Sequence, residues 1–201
     1  MARRLGLPLA PVVPARFCPV PSPLYTVLLG YKESPVAEAR RRFAGIVRSL
    51  VHDFLLGQAG RLEAALGGPI DLVAVVPSTH RPGPAPLSLV AGLGVDVVAA
   101  LPAARWAPDL LHRAALRDGP PPVAHMWPHA AAFIVTPAGG DGVRGARALL
   151  LDDTYVSGAR SQSAAAALRR AGARTVIAPL GRVLRPDRVA RHVEFLGRQA
   201  V

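Results

Sequence analysis

The sequence is poor in the features that secreted and membrane proteins depend on. Cysteine occurs once, at Cys18, which excludes an intramolecular disulfide and a cysteine-based zinc site within one chain. Such a residue is best read as a small buried or half-buried side chain. No apolar run reaches the roughly 18 to 20 residues of a membrane span. Pro8, Pro11 and Pro14 interrupt the apolar stretch that follows two arginines, which argues against a signal peptide and predicts a cytoplasmic protein without a membrane partner.

Aromatic residues and lysine are also scarce. Only 5% of the residues are aromatic although 51% are hydrophobic, so Ala, Val and Leu must form the core. Lys32 is the only lysine among 24 basic residues, and the formal net charge is +11. A basic balance suits anionic partners such as nucleotides, pyrophosphate or nucleic acid. A GC-rich coding sequence also produces arginine in place of lysine. The arginines are scattered and no aromatic-interleaved basic motif accompanies them, so nucleic acid stays open as a partner without being favoured.

Length and the order of patterns predict one α/β domain. A chain of 201 residues fits a single domain of ordinary size. Residues 1–23 form a proline-rich segment, expected to be irregular or to lie at a sheet edge, and residues 24–201 form the domain. Strand and helix patterns alternate along it, which predicts an open, mostly parallel twisted sheet with helices on both faces.

The spacing of hydrophobic residues and the positions of turn residues predict the individual helices and strands. Short runs rich in β-branched residues predict strands at residues 24–29, 70–76, 132–136, 147–151 and 174–180. Helical spacing predicts helices from the cap Ser34 to about residue 56, and at residues 58–66, 87–93, 162–170 and 186–199. Residues 95–101 and the segment DLLHR fit either type. Three consecutive prolines make residues 119–129 an irregular loop.

The stretch ALLLDDTYVSGARS, residues 148–161, carries the clearest chemistry. Asp152 and Asp153 follow an apolar strand, and ligands bind at the carboxyl ends of parallel strands. The turn through Gly158 leads into a helix whose free N–H groups suit a phosphate. The pair fits a metal site, an acidic pocket like that of response regulators, or a clamp for ribose hydroxyls. The glycine-containing turn favours ribose plus phosphate, and the GxxxxGK[ST] pattern of a Walker loop is absent.

These residues resemble the phosphoribosyl diphosphate (PRPP) motif of the type I phosphoribosyltransferases. Over residues 24–184 the chain is similar to the ComF-like, competence-associated branch. The similar segments are Gly30-Tyr31-Lys32, residues 75–81, Ala132-Phe133, the central motif and residues 171–173. The resemblance implies a type I phosphoribosyltransferase fold, PRPP or a nucleotide as ligand, Mg²⁺ bound with PRPP, and a homodimer.

The resemblance also implies roles for individual residues. Asp152 and Asp153 would hold the ribose 2- and 3-hydroxyls. The loop of residues 77–81 would face the pyrophosphate, with Mg²⁺ held mostly by the ligand, and residues 113–129 would form a lid. Catalytic roles fall on Asp152, Asp153, His80 and Arg81. The PRPP contacts would come from Asp152, Asp153, Thr154, Val156, Ser157, Gly158, Ala159, Arg160, Ser161, Ser78 and Thr79.

Two departures from the family pattern bear on activity. Val156 and Arg160 stand where the family commonly has threonines that bind phosphate. A hydrogen bond to a charged group is worth about 1.5 to 3 kcal/mol, and Arg160 is expected to replace one of them through its guanidinium. The lid segment also lacks the usual polar and basic residues. Two functions are therefore open: transfer of a phosphoribosyl group to an unidentified acceptor with release of pyrophosphate, or a non-catalytic protein that senses PRPP or a nucleotide or binds a partner or nucleic acid.

Overall fold

The computed structural model describes residues 1–78, 84–114, 127–136 and 142–185. Within these residues a parallel sheet of five strands forms the centre of the protein. Its strands are β1 (Arg16–Pro19), β2 (Leu72–Val75), β3 (Arg105–Trp106), β6 (Arg147–Tyr155) and β7 (Arg174–Leu184), and their order across the sheet is β1-β7-β6-β2-β3. The predicted α/β class with a parallel sheet is confirmed.

The strands β6 and β7 are longer than the apolar runs that predict them. The predicted strands at residues 70–76, 147–151 and 174–180 are confirmed, but β6 continues to Tyr155 and β7 to Leu184. Thr154 lies opposite Gly181 and Tyr155 opposite Arg182, so the pairing with β7 keeps the polar end of β6 extended. The acidic pair therefore lies within a strand rather than directly after one.

The proline-rich amino-terminal segment contributes a strand to the sheet. β1 pairs in parallel with β7, from Arg16 opposite Gly181 to Pro19 opposite Leu184. It lies at the sheet edge, where a proline that lacks an N–H donor is tolerated. Before it, α1 (Ala2–Leu5) is a single helical turn. Cys18 is fully buried, as predicted.

The predicted strand at residues 24–29 is wrong, because this segment lies within helix α2 (Pro23–Glu33). Ser22 begins the helix: its hydroxyl oxygen accepts a hydrogen bond of 3.2 Å from the backbone N–H of Tyr25. Pro23 occupies the first helical position, where a missing N–H donor has no consequence. This cap outweighs the β-branched and aromatic composition of the run.

Helix α3 (Ala37–Leu66) is one continuous helix, not the two predicted pieces. Gly57 leaves it unbroken, because the apolar face continues beyond it through the buried Leu62 and Leu66. The predicted stop is confirmed, since Gly67 takes the left-handed conformation with φ 74°. Ser34 is not the amino-terminal cap. Its backbone N–H donates to the carbonyl of Gly30, so it ends α2 instead.

Helices cover both faces of the sheet, as predicted. Alternate residues of each strand point to opposite faces, so Val73 and Leu149 belong to one buried cluster, while Leu72 and Leu150 belong to the other. The first cluster includes side chains of α2, α3 and α4 (Leu93–Ala100). The second includes side chains of α5 (Ala159–Arg170), which begins three residues before its predicted start at 162.

The remaining elements are short. A 3₁₀ turn at Pro86–Leu89 lies where a longer helix is predicted, and the ambiguous segment at 95–101 lies mostly in α4. The strands β4 (Leu111–Arg113) and β5 (Phe133–Val135) form a separate antiparallel pair, so the predicted strand at 132–136 exists outside the parallel sheet. The predicted helix at 186–199 and most of the proline-rich loop lie outside the described residues. Among the helices that the structure describes, none is long and apolar enough to cross a membrane.

Candidate functional site

The acidic pair lies at the carboxyl edge of the sheet because β6 is longer than its neighbour β2. Val75, the last residue of β2, lies opposite Leu151, so β6 continues beyond it with Asp152 and Asp153. Both carboxylates are almost completely buried, with 3% and 7% of the residue surface exposed. Buried carboxylates need partners, and the structure supplies them from two helices.

The carboxylate of Asp153 is held mainly by the end of α2. Its Oδ2 accepts a hydrogen bond of 2.6 Å from the hydroxyl of Tyr31 and one of 2.9 Å from the ammonium group of Lys32. Its Oδ1 accepts 2.8 Å from the hydroxyl of Thr154 and lies 3.7 Å from Nη2 of Arg160. Asp153 therefore has two cationic partners and two hydroxyl partners.

The carboxylate of Asp152 is held by the first turn of α5. Its Oδ2 accepts a hydrogen bond of 2.5 Å from the hydroxyl of Ser161, and its Oδ1 accepts 3.3 Å from Nη2 of Arg160. The backbone N–H of Asp153 also donates to Oδ1, at 3.0 Å. Ser161 and Arg160, both expected to contact phosphate, thus contact a carboxylate in this structure.

The two neighbouring carboxylates differ in their electrostatics. Burial raises the pKa of Asp152 above its ordinary value, and the charge of Arg160 opposes this shift without cancelling it. Burial also acts to raise the pKa of Asp153, but the charges of Lys32 and Arg160 and the Tyr31 hydrogen bond outweigh it, so the pKa is lowered. The negative charge of the pair is therefore carried most readily by Asp153.

The turn after β6 is fixed by Gly158. This residue has φ 77°, in the left-handed region, and a Cβ there would collide with the ring of Tyr155 beneath it. Arg182 of β7 donates a hydrogen bond of 2.9 Å to the carbonyl of Val156, and its guanidinium lies 4.7 Å from the centre of the Tyr155 ring. The hydroxyl oxygen of Ser157 accepts from the backbone N–H of Ala159 at 3.3 Å. The amino terminus of α5 is thus held beside the acidic pair.

A pocket of about 470 Å³ opens over the pair. Its polar side contains the carboxylates of Asp152, Asp153 and Glu33 together with the cations of Lys32 and Arg160. Its other side is aliphatic and is formed largely by the segment that carries the 3₁₀ turn, including Pro84, Ala85, Pro86, Leu87, Leu89 and Val90. The volume is within the range of small-molecule sites, with a few polar groups gathered at one end of an apolar cavity.

The predicted site residues fall into four groups. One of them forms the turn after β6 and the first residue of α5: Val156, Ser157, Gly158 and Ala159. The structure brings together Asp152, Asp153, Arg160 and Ser78 in the lining of the pocket. Thr154 and Ser161 bond to the carboxylates directly beneath it. Thr79, His80 and Arg81 lie outside the described residues, as does the lid between residues 115 and 126. Their predicted roles remain predictions.

No site role is assigned to Tyr31 or Lys32 from the sequence, although both line the pocket and bond to Asp153. Their segment enters the sequence analysis only through the family resemblance. One compositional signal pointed to Lys32: it is the single lysine in an arginine-rich chain. Helix α2 brings the side chains of Tyr31 and Lys32 to Asp153 at the edge of the sheet. Because residues 24–29 are wrongly predicted as a strand, this helix and its contacts are not expected from the sequence.

The acidic pair as it stands does not fit direct ligation of Mg²⁺. Each of its four carboxylate oxygens accepts a hydrogen bond from an N–H or O–H group of the protein. Mg²⁺ requires free oxygen ligands at about 2.0 to 2.1 Å in octahedral geometry. Among the described residues, no group of three His, Cys, Asp or Glu side chains gathers to hold a metal ion.

A strand, a turn at Gly158 and a helix follow one another in the predicted order, and the acidic pair lies inside the strand rather than directly after it. A function for the site must therefore account for both the buried carboxylates and the cations that neutralise them. Scans against models of protein families and against curated protein sequences found no match to this chain.

Proposed function

We propose that this protein is a type I phosphoribosyltransferase-like protein that binds PRPP at the pocket over Asp152 and Asp153. The observation that carries the proposal is the position of this pair. It lies on a central strand of a parallel sheet, faces a pocket, and is followed within a few residues by a glycine turn and a helix amino terminus. Carboxylates accept hydrogen bonds from sugar hydroxyls, and a helix amino terminus stabilises a phosphate.

PRPP would bind with its ribose over the pair and its 5-phosphate at the first turn of α5. The first backbone N–H groups of a helix have no partner within the helix and point toward a bound anion. Val156 and Gly158 would border the phosphate through their backbone. The loop that carries His80 and Arg81 would face the pyrophosphate from the end of β2.

Phosphoribosyl transfer would break the bond between C1 of the ribose and the pyrophosphate, while a nucleophilic acceptor forms a new bond to C1. The charge that develops on the leaving pyrophosphate would be stabilised by cationic side chains, among them Arg81 and Lys32. The aliphatic side of the pocket would exclude water from the reacting centre. The acceptor would enter along this side, near the end of α2.

A second function is favoured by one observation. Lys32 and Arg160 already neutralise both carboxylates, and Asp153 has four protein partners. The carboxylate oxygens of this site already accept hydrogen bonds from the protein itself. Such a site suits a protein that binds a phosphorylated ribose as a signal and does not catalyse its reaction. The fold is common to both functions, so the choice depends on the chemistry of the site.

Calorimetric titration with PRPP tests the proposal. We expect saturable binding to the wild-type protein and its loss in the double variant Asp152→Ala/Asp153→Ala. Arg147→Met is the control, because it removes an ion pair at the opposite end of β6. Absence of PRPP binding, or equal binding by the double variant, would overturn the proposal.

Release of pyrophosphate separates the two functions. Bound PRPP would be incubated with a panel of nucleobases, amines and carboxylates, and pyrophosphate would be measured enzymatically. Acceptor-dependent release shows transfer, and binding without release with any acceptor supports the sensing function.

A further inference from the structure

We propose that Lys32 and Arg160 take the place of a divalent cation, so that a phosphoribosyl ligand binds at this pocket without Mg²⁺. This inference rests on the proposed function and runs against the Mg²⁺ that the family resemblance implies. It follows from the way in which the carboxylates are occupied.

The charges of the two aspartates and of their two cationic partners balance. Nζ of Lys32 lies 2.9 Å from Oδ2 of Asp153, and Nη2 of Arg160 lies 3.3 Å from Asp152 and 3.7 Å from Asp153. Arg160 thus bridges both carboxylates while Lys32 neutralises the second. Asp152, Asp153, Lys32 and Arg160 are neutral as a group of four, so a phosphorylated ligand does not need a metal ion to offset repulsion from these two acids. Glu33 adds one further negative charge to the pocket lining.

The hydrogen bonds lead to the same conclusion. An incoming Mg²⁺ would have to remove Lys32 or Arg160 from the carboxylates and then lie beside the displaced positive charge. A ribose hydroxyl faces a smaller barrier, because it is itself a donor and can replace one N–H group at a carboxylate oxygen. The site therefore favours a neutral donor over a second cation.

Both cations lie where they can contact a ligand whose hydroxyl has replaced them at a carboxylate. Lys32 and Arg160 line the same pocket as the acids, and 17% and 25% of their side-chain surfaces are exposed. When a hydroxyl takes the place of the Lys32 ammonium group on Asp153, the flexible four-carbon chain lets that group turn toward the phosphate or pyrophosphate oxygens of the ligand. Lys32 would thereby offer its positive charge to ligand oxygens of the kind that are expected to hold Mg²⁺.

Titrations with PRPP and with ribose 5-phosphate, each in excess EDTA and in excess MgCl₂, test this inference. We expect the Kd of the wild-type protein to change by less than about threefold between the two conditions, well within the tenfold that one unit of log K represents. Lys32→Met keeps the apolar part of the side chain and removes the charge. We expect it to weaken binding in EDTA by about tenfold or more and to create a dependence on Mg²⁺. Arg147→Met is the control and should retain the wild-type behaviour.

The single lysine gives an independent readout on the unaltered protein. With lysine labelled at its side-chain nitrogen, the NMR spectrum contains one ammonium signal, that of Lys32. We expect this signal to shift on addition of PRPP in EDTA and to saturate with the calorimetric Kd. This measurement stands even if Lys32→Met fails to fold.

The outcomes separate the two proposals. Binding of PRPP only when Mg²⁺ is present overturns this inference and leaves the proposed function intact. Failure of both ligands to bind under either condition overturns the proposed function, and the inference with it. Metal-free binding with an unshifted Lys32 signal removes Lys32 from the ligand site.

Discussion

The hydroxyl of Tyr31 donates a hydrogen bond of 2.6 Å to Oδ2 of Asp153 and joins α2 to β6 across 122 positions of sequence. Burial and the negative charge of Asp153 raise the pKa of Tyr31 far above its ordinary value, so the hydroxyl stays protonated and remains a donor. This contact fixes the end of α2 over the acidic pair and brings Lys32, the next residue, into the pocket.

Tyr31→Phe should therefore destabilise the fold. Removal of a hydrogen bond to a buried carboxylate is expected to lower the free energy of unfolding by about 1.5 to 3 kcal/mol. Urea denaturation monitored by circular dichroism measures this loss. Tyr25→Phe is the control, since Tyr25 packs against the same core from the first turn of α2. Equal losses in the two variants would show that the Asp153 contact contributes nothing specific.

The two carboxylates should respond differently to neutralisation. The lowered pKa of Asp153 means that its charged form stabilises the fold above its unfolded pKa, and that this contribution is lost as the pH falls through the folded value. The raised pKa of Asp152 means that its charged form opposes folding at neutral pH. Asp153→Asn should therefore lower stability at pH 7, while Asp152→Asn should leave it unchanged or raise it. Guanidinium denaturation of both variants checks this, and an equal loss in the two would contradict it.

Gly158→Ala should disrupt the turn before α5. A left-handed backbone costs a residue with a Cβ about 1 to 2 kcal/mol, and here the Cβ would also collide with Tyr155. Gly145→Ala is a matched control, because Gly145 has a similar φ of 79° and no atom within 4 Å of its added Cβ. We expect the thermal midpoint of Gly158→Ala to fall well below that of Gly145→Ala. PRPP binding should weaken only in the Gly158 variant.

The ion pair between Asp71 and Arg147 should contribute a small dependence of stability on pH. Hydrogen bonds from the side chain and backbone N–H of Arg147 hold the pKa of Asp71 below its ordinary value. The stabilisation is thus fully present above the unfolded pKa of about 4 and disappears as the pH falls through the folded value. Because 41% of the Asp71 side-chain surface is exposed, we expect at most about 1 kcal/mol. Denaturation of Asp71→Asn between pH 3 and 7 should show a correspondingly weaker pH dependence than the wild type.

The local patterns in the sequence predict the strand, the acidic pair and the glycine turn because each depends on neighbours a few residues away. The same patterns give a wrong prediction at residues 24–29. There Ser22 caps a helix, although the β-branched and aromatic residues of the segment favour a strand. They predict a strand β6 that is shorter than the observed one, since its last residues are held extended by pairing with β7. The contacts of Tyr31 and Lys32 with Asp153 are invisible to local patterns, because only the folded sheet brings them together.

The pairing of β1 with β7 has a consequence for synthesis on the ribosome. Arg16 lies opposite Gly181, so 165 further residues must be translated before the first strand meets its partner. At about 5 to 20 residues per second, this delay lasts roughly 8 to 33 s. Throughout that interval the proline-rich amino-terminal segment lacks its sheet neighbour. Its prolines disfavour pairing with other strands, so the segment stays available for β7, the last strand among the described residues.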